Sequence, residues 1–355
     1  MGTRDCMNLS LIATLELVGT HPLLAVVLIL VIGVTMVSGA TDAPNAIATA
    51  VATRCMRPTV ALIVAAVFNF VGLIGMTFIS TSVAHTMFSM VDFSGDTHMA
   101  LLALVASMIG SIAWGVFCWF FGIPCSKSHA LIAGITGGAI ALNGWAGVVP
   151  GEWAKVIYGL VFSLVAGFGL GCLMTKIIER LFMRMRRARG NRICTHITNI
   201  LACILAFLHG AQDGQKFMSI GVMGIALSLG EQASGSAGFP LWLMIICSLA
   251  ISAGTFLGGK RIIKSVAMDM VDLTVPQGTA ASASTAALLL VASLTGMPVS
   301  TSHCSTASIM GVGASRNPHS VNWIIARNML AAWILTFPAC GLIGFALATF
   351  FMHLL

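Results

Sequence analysis

Two acidic residues stand inside otherwise apolar runs, Asp42 and Asp213. Each belongs to a short polar string, Gly39-Ala-Thr-Asp42-Ala-Pro44-Asn45-Ala46 and Gly210-Ala-Gln-Asp213-Gly-Gln-Lys216. The strings lie 171 residues apart in a chain of 355. A carboxylate at membrane depth is costly and marks an ion or substrate path by default. Two further strings read Gly-x-Pro-x-Ser-x-Ser-His, from Gly122 to His129 and from Gly296 to His303. The order repeats: 87 residues separate Asp42 from His129, and 90 separate Asp213 from His303. The hydroxyls of Ser126, Ser128, Ser300, Thr301 and Ser302 fall just before short helical arms. Helix starts carry free N–H groups and the positive end of the dipole. N–H groups and hydroxyls in a concave turn form an oxyanion cradle. Carboxylates repel an anion, so Asp42 and Asp213 make sense if a cation travels with it, held by carboxylate and freed backbone carbonyls. That chemistry is cation-coupled anion symport.

Each residue also has a plainer reading. Ser and Thr at helix starts serve as caps. His129 and His303 carry protons, bond substrate, or bond a backbone carbonyl. Asp42 and Asp213 can pair with Lys127 and Lys216 as structural ion pairs. Asn45 and Gln215 line the site or satisfy the break. Duplication of both motifs in one order, with an intramembrane Asp nearby, favours the functional reading of the Ser and Thr residues, while for the two His residues the bond to a backbone carbonyl is the commoner arrangement.

The elements that position these residues follow from composition. The chain is 58% hydrophobic and 8% charged, against about 25% charged in a soluble domain. Continuous apolar runs exclude a β-barrel and indicate an all-α polytopic membrane protein. The net charge of +7 does not point to nucleic acid, because seven of eighteen basic residues lie between Lys176 and Arg192. The ten cysteines and 21 methionines are scattered without metal-ligand spacing and read as packing residues. No cleavable signal is expected, since the first apolar run leads directly into the Asp42 string.

Residues 1–20 read as a polar lead, 21–175 as a first membrane repeat, 176–192 as a basic cytoplasmic loop, and 193–355 as a second repeat. Glycine and Pro44 predict a broken helix at 39–44, and a matching break is expected at 210–214. The segments 81–98, 142–152 and 230–240 read as loops without Lys or Arg. Arg54, Arg57, the 176–192 loop, Lys260, Arg261, Lys264 and Arg316 fall on one side when each hairpin arm counts as a pass. The positive-inside rule then puts that side in the cytoplasm and both termini outside. Five passes per half make the halves inverted. The arms 130–142 and 303–313 fall short of the roughly 17–25 residues of a full span, which favours re-entrant hairpins. The fold expected is two inverted repeats, each with a broken helix and a helical hairpin.

At these motifs the chain resembles the inorganic phosphate transporter (PiT) family, whose members carry a duplicated G-A-N-D-x-A-N-A-like element and a P-x-S-[ST]-[ST]-H-like turn. Here the elements read G-A-T-D-A-P-N-A (Gly39–Ala46) and H-G-A-Q-D-G-Q-K (His209–Lys216). The turns read P-C-S-K-S-H (Pro124–His129) and P-V-S-T-S-H (Pro298–His303). The resemblance implies phosphate uptake coupled to Na⁺ or H⁺. It implies cation coupling at Asp42 and Asp213 with Thr41 and Gln212 beside them, Asn45 next to the site, and the anion on Ser126, Ser128, Ser300, Thr301 and Ser302. Lys127, His129, Gln215, Lys216 and His303 stand as anion or structural partners. A sodium-coupled member would hold Na⁺ at Asp42 and Asp213; no organic cofactor is implied. Thr41 and Gln212 replace the family's Asn, and Lys127 stands where a small hydroxyl is usual. The family also suggests a homodimer.

The expected function is plasma-membrane symport of phosphate by alternating access, with hairpins and broken helices moving against the rest. A sulfate or metal–phosphate permease of the same fold is the alternative. An intramembrane hydrolase using Ser126 or Ser302 with the adjacent His is remote, because an adjacent Ser-His pair on a turn rarely has the geometry. A channel is also remote, because a midplane site between broken halves is the architecture of alternating access.

Overall fold

The computed structural model describes residues 10–121, 125–230, 239–267 and 271–354, and side chains over these ranges except 259–267. The expected lead over 1–9, Gly122 and Pro124 of the first turn, residues 231–238 of one loop, and the side chains of Lys260, Arg261 and Lys264 lie outside the described residues.

Helices dominate, as the apolar runs require. They are α1 (Leu11–Thr20), α2 (Pro22–Thr41), α3 (Pro44–Ala52), α4 (Pro58–Ile79), α5 (Ser82–Ser89), α6 (Thr97–Phe121) and α7 (Lys127–Asn143). Then come α8 (Pro150–Phe182), α9 (Arg187–Ser228), α10 (Leu241–Ala267), α11 (Val275–Thr295), α12 (Thr301–Arg316) and α13 (Trp323–Leu354). Nine helical stretches among the described residues are long and apolar enough to cross a membrane. At 1.5 Å per residue, the 17-residue α7 and 16-residue α12 measure about 25 Å, short of a hydrocarbon core of about 30 Å. Both are buried almost throughout inside the protein.

The first break forms where Pro44 demands it. Asp42 ends α2, Ala43 caps α3 and Pro44 opens it. Pro44 has no N–H to give the Ala40 carbonyl. The second break does not form. α9 runs unbroken through 210–214 as one helix of 42 residues. Gly210 and Gly214 weaken a helix by about 1 kcal/mol each, but they keep their N–H donors, and α9 has packing against α4 to hold it.

Three other expectations change. Residues 11–20 are not a polar lead but helix α1, with Leu11, Ile12 and Leu15 exposed. The basic stretch 176–192 is mostly two helix ends, with only 183–186 between α8 and α9. The expected loop 81–98 contains α5, which buries Val83, Ala84, Met87 and Phe88 and packs on α9 and α11.

Helix pairing repeats between the halves. α2 packs on α10 and α9 on α4; α7 packs on α13 and α12 on α8. At all four crossings glycine lets the backbones touch. A Cβ would run into a carbonyl across the crossing at Gly39 and Gly254, Gly72 and Gly210, Gly137 and Gly344, and Gly171 and Gly311.

The basic ends collect at one end of the bundle. Arg316 Nε donates to Glu179 Oε1 at 2.5 Å, and Cys55, between Arg54 and Arg57, lies 3.8 Å from Thr195. At the other end, Asp92 N–H donates to the Gly147 carbonyl at 2.9 Å, and Asn143 Nδ2 donates to the Asp92 and Ser94 carbonyls.

Candidate functional site

The two hairpin turns meet the two Asp strings in the buried middle of the protein. Ser126 and Ser300 are the N-caps of α7 and α12: each Oγ accepts from the N–H three residues on, at 3.3 Å from His129 and 3.4 Å from His303. Gly296 ends α11 at φ 72°, a left-handed turn that suits glycine. Thr86 Oγ1 of α5 donates to the Gly296 carbonyl at 2.8 Å, so α5 braces that turn.

Capping Ser126 and Ser300 sends the serines two residues later to the carboxylates, and each crosses to the other half. Ser302 Oγ donates to Asp42 Oδ1 at 3.2 Å and accepts from Asn45 Nδ2 at 3.0 Å. Ser128 Oγ lies 3.3 Å from Asp213 Oδ1 and 2.9 Å from Lys216 Nζ. Asn45 and Lys216 each stand three residues after their Asp, one helical turn on the same face. Two equivalent triads result, Asp42–Ser302–Asn45 and Asp213–Ser128–Lys216, differing in an amide against an ammonium.

The remaining contacts are unequal. Asp42 Oδ2 accepts from the Lys127 N–H at 3.2 Å, a helix N-terminus pointing at a carboxylate. The Lys127 ammonium donates instead to Cys125 Sγ at 2.7 Å, and no ion pair joins it to Asp42 among the described residues. The expected Asp42–Lys127 pair is therefore a backbone contact. Asp213 does pair: Lys216 Nζ sits 3.0 Å from Oδ1. Asp213 Oδ2 accepts from Ser38 Oγ at 3.2 Å and lies 3.3 Å from His209 Nε2.

Several candidates turn elsewhere. Thr41 Oγ1 donates to the Val37 carbonyl of its own helix at 2.9 Å. Gln212 Nε2 donates to Ser293 Oγ at 3.0 Å. Gln215 Nε2 donates to the Ser80 carbonyl at 2.7 Å. None of the three converges on a carboxylate. His129 and His303 meet edge to face with ring centroids 4.4 Å apart, and His303 lies 3.7 Å from Trp333. Asn45 Oδ1 and Thr301 Oγ1 are buried without a hydrogen-bond partner among the described residues. Both residues line a cavity of ≈ 10 Å³ with Ser305 and His209, room for about one water-sized species.

Sequence reasoning missed Ser38 and His209 as carboxylate neighbours. His209 stands four residues before Asp213, one helical turn on the same face, and that spacing was the available signal; Ser38 reaches Asp213 across the halves, which no local spacing shows.

A family model described as the phosphate transporter family matches residues 38–344, which include every residue of both triads. The chain belongs to the phosphate transporter family. Curated relatives agree. A Bacillus subtilis (strain 168) protein described as "Probable low-affinity inorganic phosphate transporter" is 34% identical over 319 residues, 90% of this chain and 94% of the relative. A Mycobacterium bovis protein of the same description is 35% identical over 325 residues, 91% of this chain and 76% of the relative. A solved structure titled "The sodium-dependent phosphate transporter" matches with a TM-score of 0.85 at 20% identity, covering 94% of this chain and all of the other. That likeness shows the fold. As a member of the phosphate transporter family with nine candidate spans, the chain is a multi-pass membrane transporter. The hydrolase reading falls with this membership, because the family transports and does not hydrolyse.

Proposed function

We propose that this transporter is a cation-coupled symporter of inorganic phosphate working by alternating access. The observation that carries the reading is the crossed pair of triads, each a carboxylate of one half against a hydroxyl of the other half's hairpin turn. An oxyanion taken between the turns would draw Ser128 and Ser302 from the carboxylates, which then need a cation. Asn45 Oδ1, without a hydrogen-bond partner among the described residues and one helical turn after Asp42, supplies an acceptor oxygen for that cation, while Thr301 stays with the serines of its turn on the anion side. Thr41 and Gln212 keep their expected supporting role only if the site rearranges.

The halves are read as inverted repeats, because exchanging α2 with α9, α4 with α10, α7 with α12 and α8 with α13 preserves the helix pairings. By the positive-inside rule the α8–α9 end is read as cytoplasmic and both termini as outside, and a plasma-membrane location is part of the same proposal.

The test is uptake of labelled phosphate into proteoliposomes under an imposed Na⁺ or pH gradient, with excess sulfate as competitor. Gradient-driven uptake that sulfate leaves untouched supports the reading. Uptake that no gradient drives overturns the coupling, and strong sulfate competition moves the cargo to sulfate. An Asp42→Asn protein with unchanged cation dependence removes Asp42 from its role.

A further inference from the structure

We infer that the Lys216 ammonium is a tethered substitute for a coupling cation at the Asp213 half-site, so that half binds no mobile sodium. The inference rests on the reading above, in which the carboxylates sit on the cation side.

An ammonium has three donors and no acceptor. Lys216 spends all three on protein oxygens: Asp213 Oδ1 at 3.0 Å, Ser128 Oγ at 2.9 Å and the Val299 carbonyl at 2.6 Å. The set is one carboxylate, one hydroxyl and one carbonyl from the irregular turn before α12. Those are the oxygen types that hold a small hard cation where a helix is interrupted. No N–H remains for an anion, which excludes Lys216 as a phosphate clamp in this arrangement. The residue is buried, so its charge is balanced by the Asp213 carboxylate and not screened by water.

The equivalent half-site shows the alternative. Asn45 occupies the place of Lys216 and bonds Ser302 as Lys216 bonds Ser128. It brings no charge, and its Oδ1 has no hydrogen-bond partner among the described residues. One half-site is therefore closed by a covalently attached cation and the other keeps open acceptors. Lys127 does not repeat the arrangement, because its ammonium faces Cys125. The consequence is a specificity determinant: Lys216 reduces by one the number of mobile cations the site can take.

Binding of ²²Na⁺ to the purified protein, read by scintillation proximity, tests this without phosphate. Lys216→Ala should bind one more Na⁺ per chain than the wild type, Lys216→Arg none more, and Lys216→Ala with Asp213→Asn should lose the gain. Lys216→Asn, which reproduces the uncharged Asn45 of the other half-site, is the second variant if Lys216→Ala is not recovered monodisperse. Equal ²²Na⁺ binding by the wild type and a folded Lys216→Ala or Lys216→Asn protein overturns the inference. A gain that survives Asp213→Asn overturns it as well. Phosphate uptake by the wild type is scored separately: its absence sinks the cargo reading while the added sodium site stands.

Discussion

Gly210 faces the α4 backbone one turn before Asp213, and adding a single methyl there tests whether this crossing positions the carboxylate. A Cβ on Gly210 would land on the Asn69 carbonyl. The obstacle is backbone and cannot rotate away, so α9 and α4 must part. Asn69 is also the residue that ties the crossing together. Its Oδ1 meets His209 Nδ1 at 2.9 Å, and its Nδ2 donates to Thr255 Oγ1 at 3.0 Å. Overpacking costs about 1–3 kcal/mol, and loss of the buried His209–Asn69 hydrogen bond, the one of the two that crosses from α4 to α9, adds about 1 kcal/mol. The sum is about 2–4 kcal/mol, or a fall of about 3–5 °C in melting temperature at roughly 1.3 °C per kcal/mol for a chain of this size. Gly169→Ala is the control: no atom lies within 4 Å of its new Cβ, and helix propensity favours alanine by about 0.5–1 kcal/mol. Unfolding is followed with a thiol-reactive dye, since Cys118, Cys247, Cys304 and Cys340 are free and buried. A Gly210→Ala protein that melts with the wild type refutes the reasoning, because the backbones would then not be in contact.

Asp213→Asn leaves the Lys216 ammonium buried against neutral partners and should cost about 3–5 kcal/mol, most of it recovered when Lys216→Met is added; thermal unfolding of the single and double variants checks this. Ser302→Ala removes the hydroxyl joining Asp42 to Asn45, a charge-assisted bond of about 1.5–3 kcal/mol, so phosphate uptake should fall about 10–100-fold, while Ser315→Ala, bonded only within α12, should transport normally. Pro44→Ala restores an N–H to the chain, lets α2 continue into α3 and should reduce uptake while helix content by circular dichroism is kept. Normal uptake by Pro44→Ala would show that the interruption is dispensable.

Much of the site was legible because it is written twice. The spacing from Asp to His in each half located both strings and both turns, and Pro44 announced its own break. The capping of Ser126 and Ser300 was legible as the ordinary fate of a serine at a helix start. What was not legible came from long-range packing. That Asp42 meets Ser302 and Asp213 meets Ser128, each across the halves, depends on how the helices assemble. The unbroken α9 misled because glycine permits an interruption without forcing one, whereas proline removes the donor. The helix in 82–89 was hidden by its polar neighbours, since its amphipathic stretch is too short to signal by period. Lys127 and Lys216 look alike in sequence, yet one faces a thiol and the other a carboxylate.

The glycine crossings described above sort the helices mechanically. Carbonyl-to-glycine contact locks α2 to α10 and α4 to α9, and separately α7 to α13 and α8 to α12. Each of these four pairs joins helices from both halves of the chain, and the first two pack on each other through α4–α10 and α2–α9. Asp42, Asn45, Asp213 and Lys216 stand on the joined pairs or their α3 extension, while Ser128 and Ser302 stand at the starts of α7 and α12, one on each of the other two. The site is thus assembled from elements whose glycine contacts lie elsewhere, and its own links are polar: hydroxyl to carboxylate or ammonium, with the Lys216–Val299, Lys127–Asp42 and Ser305–Asn45 contacts beside them. Closely fitted backbones hold the frame, and exchangeable hydrogen bonds hold the centre.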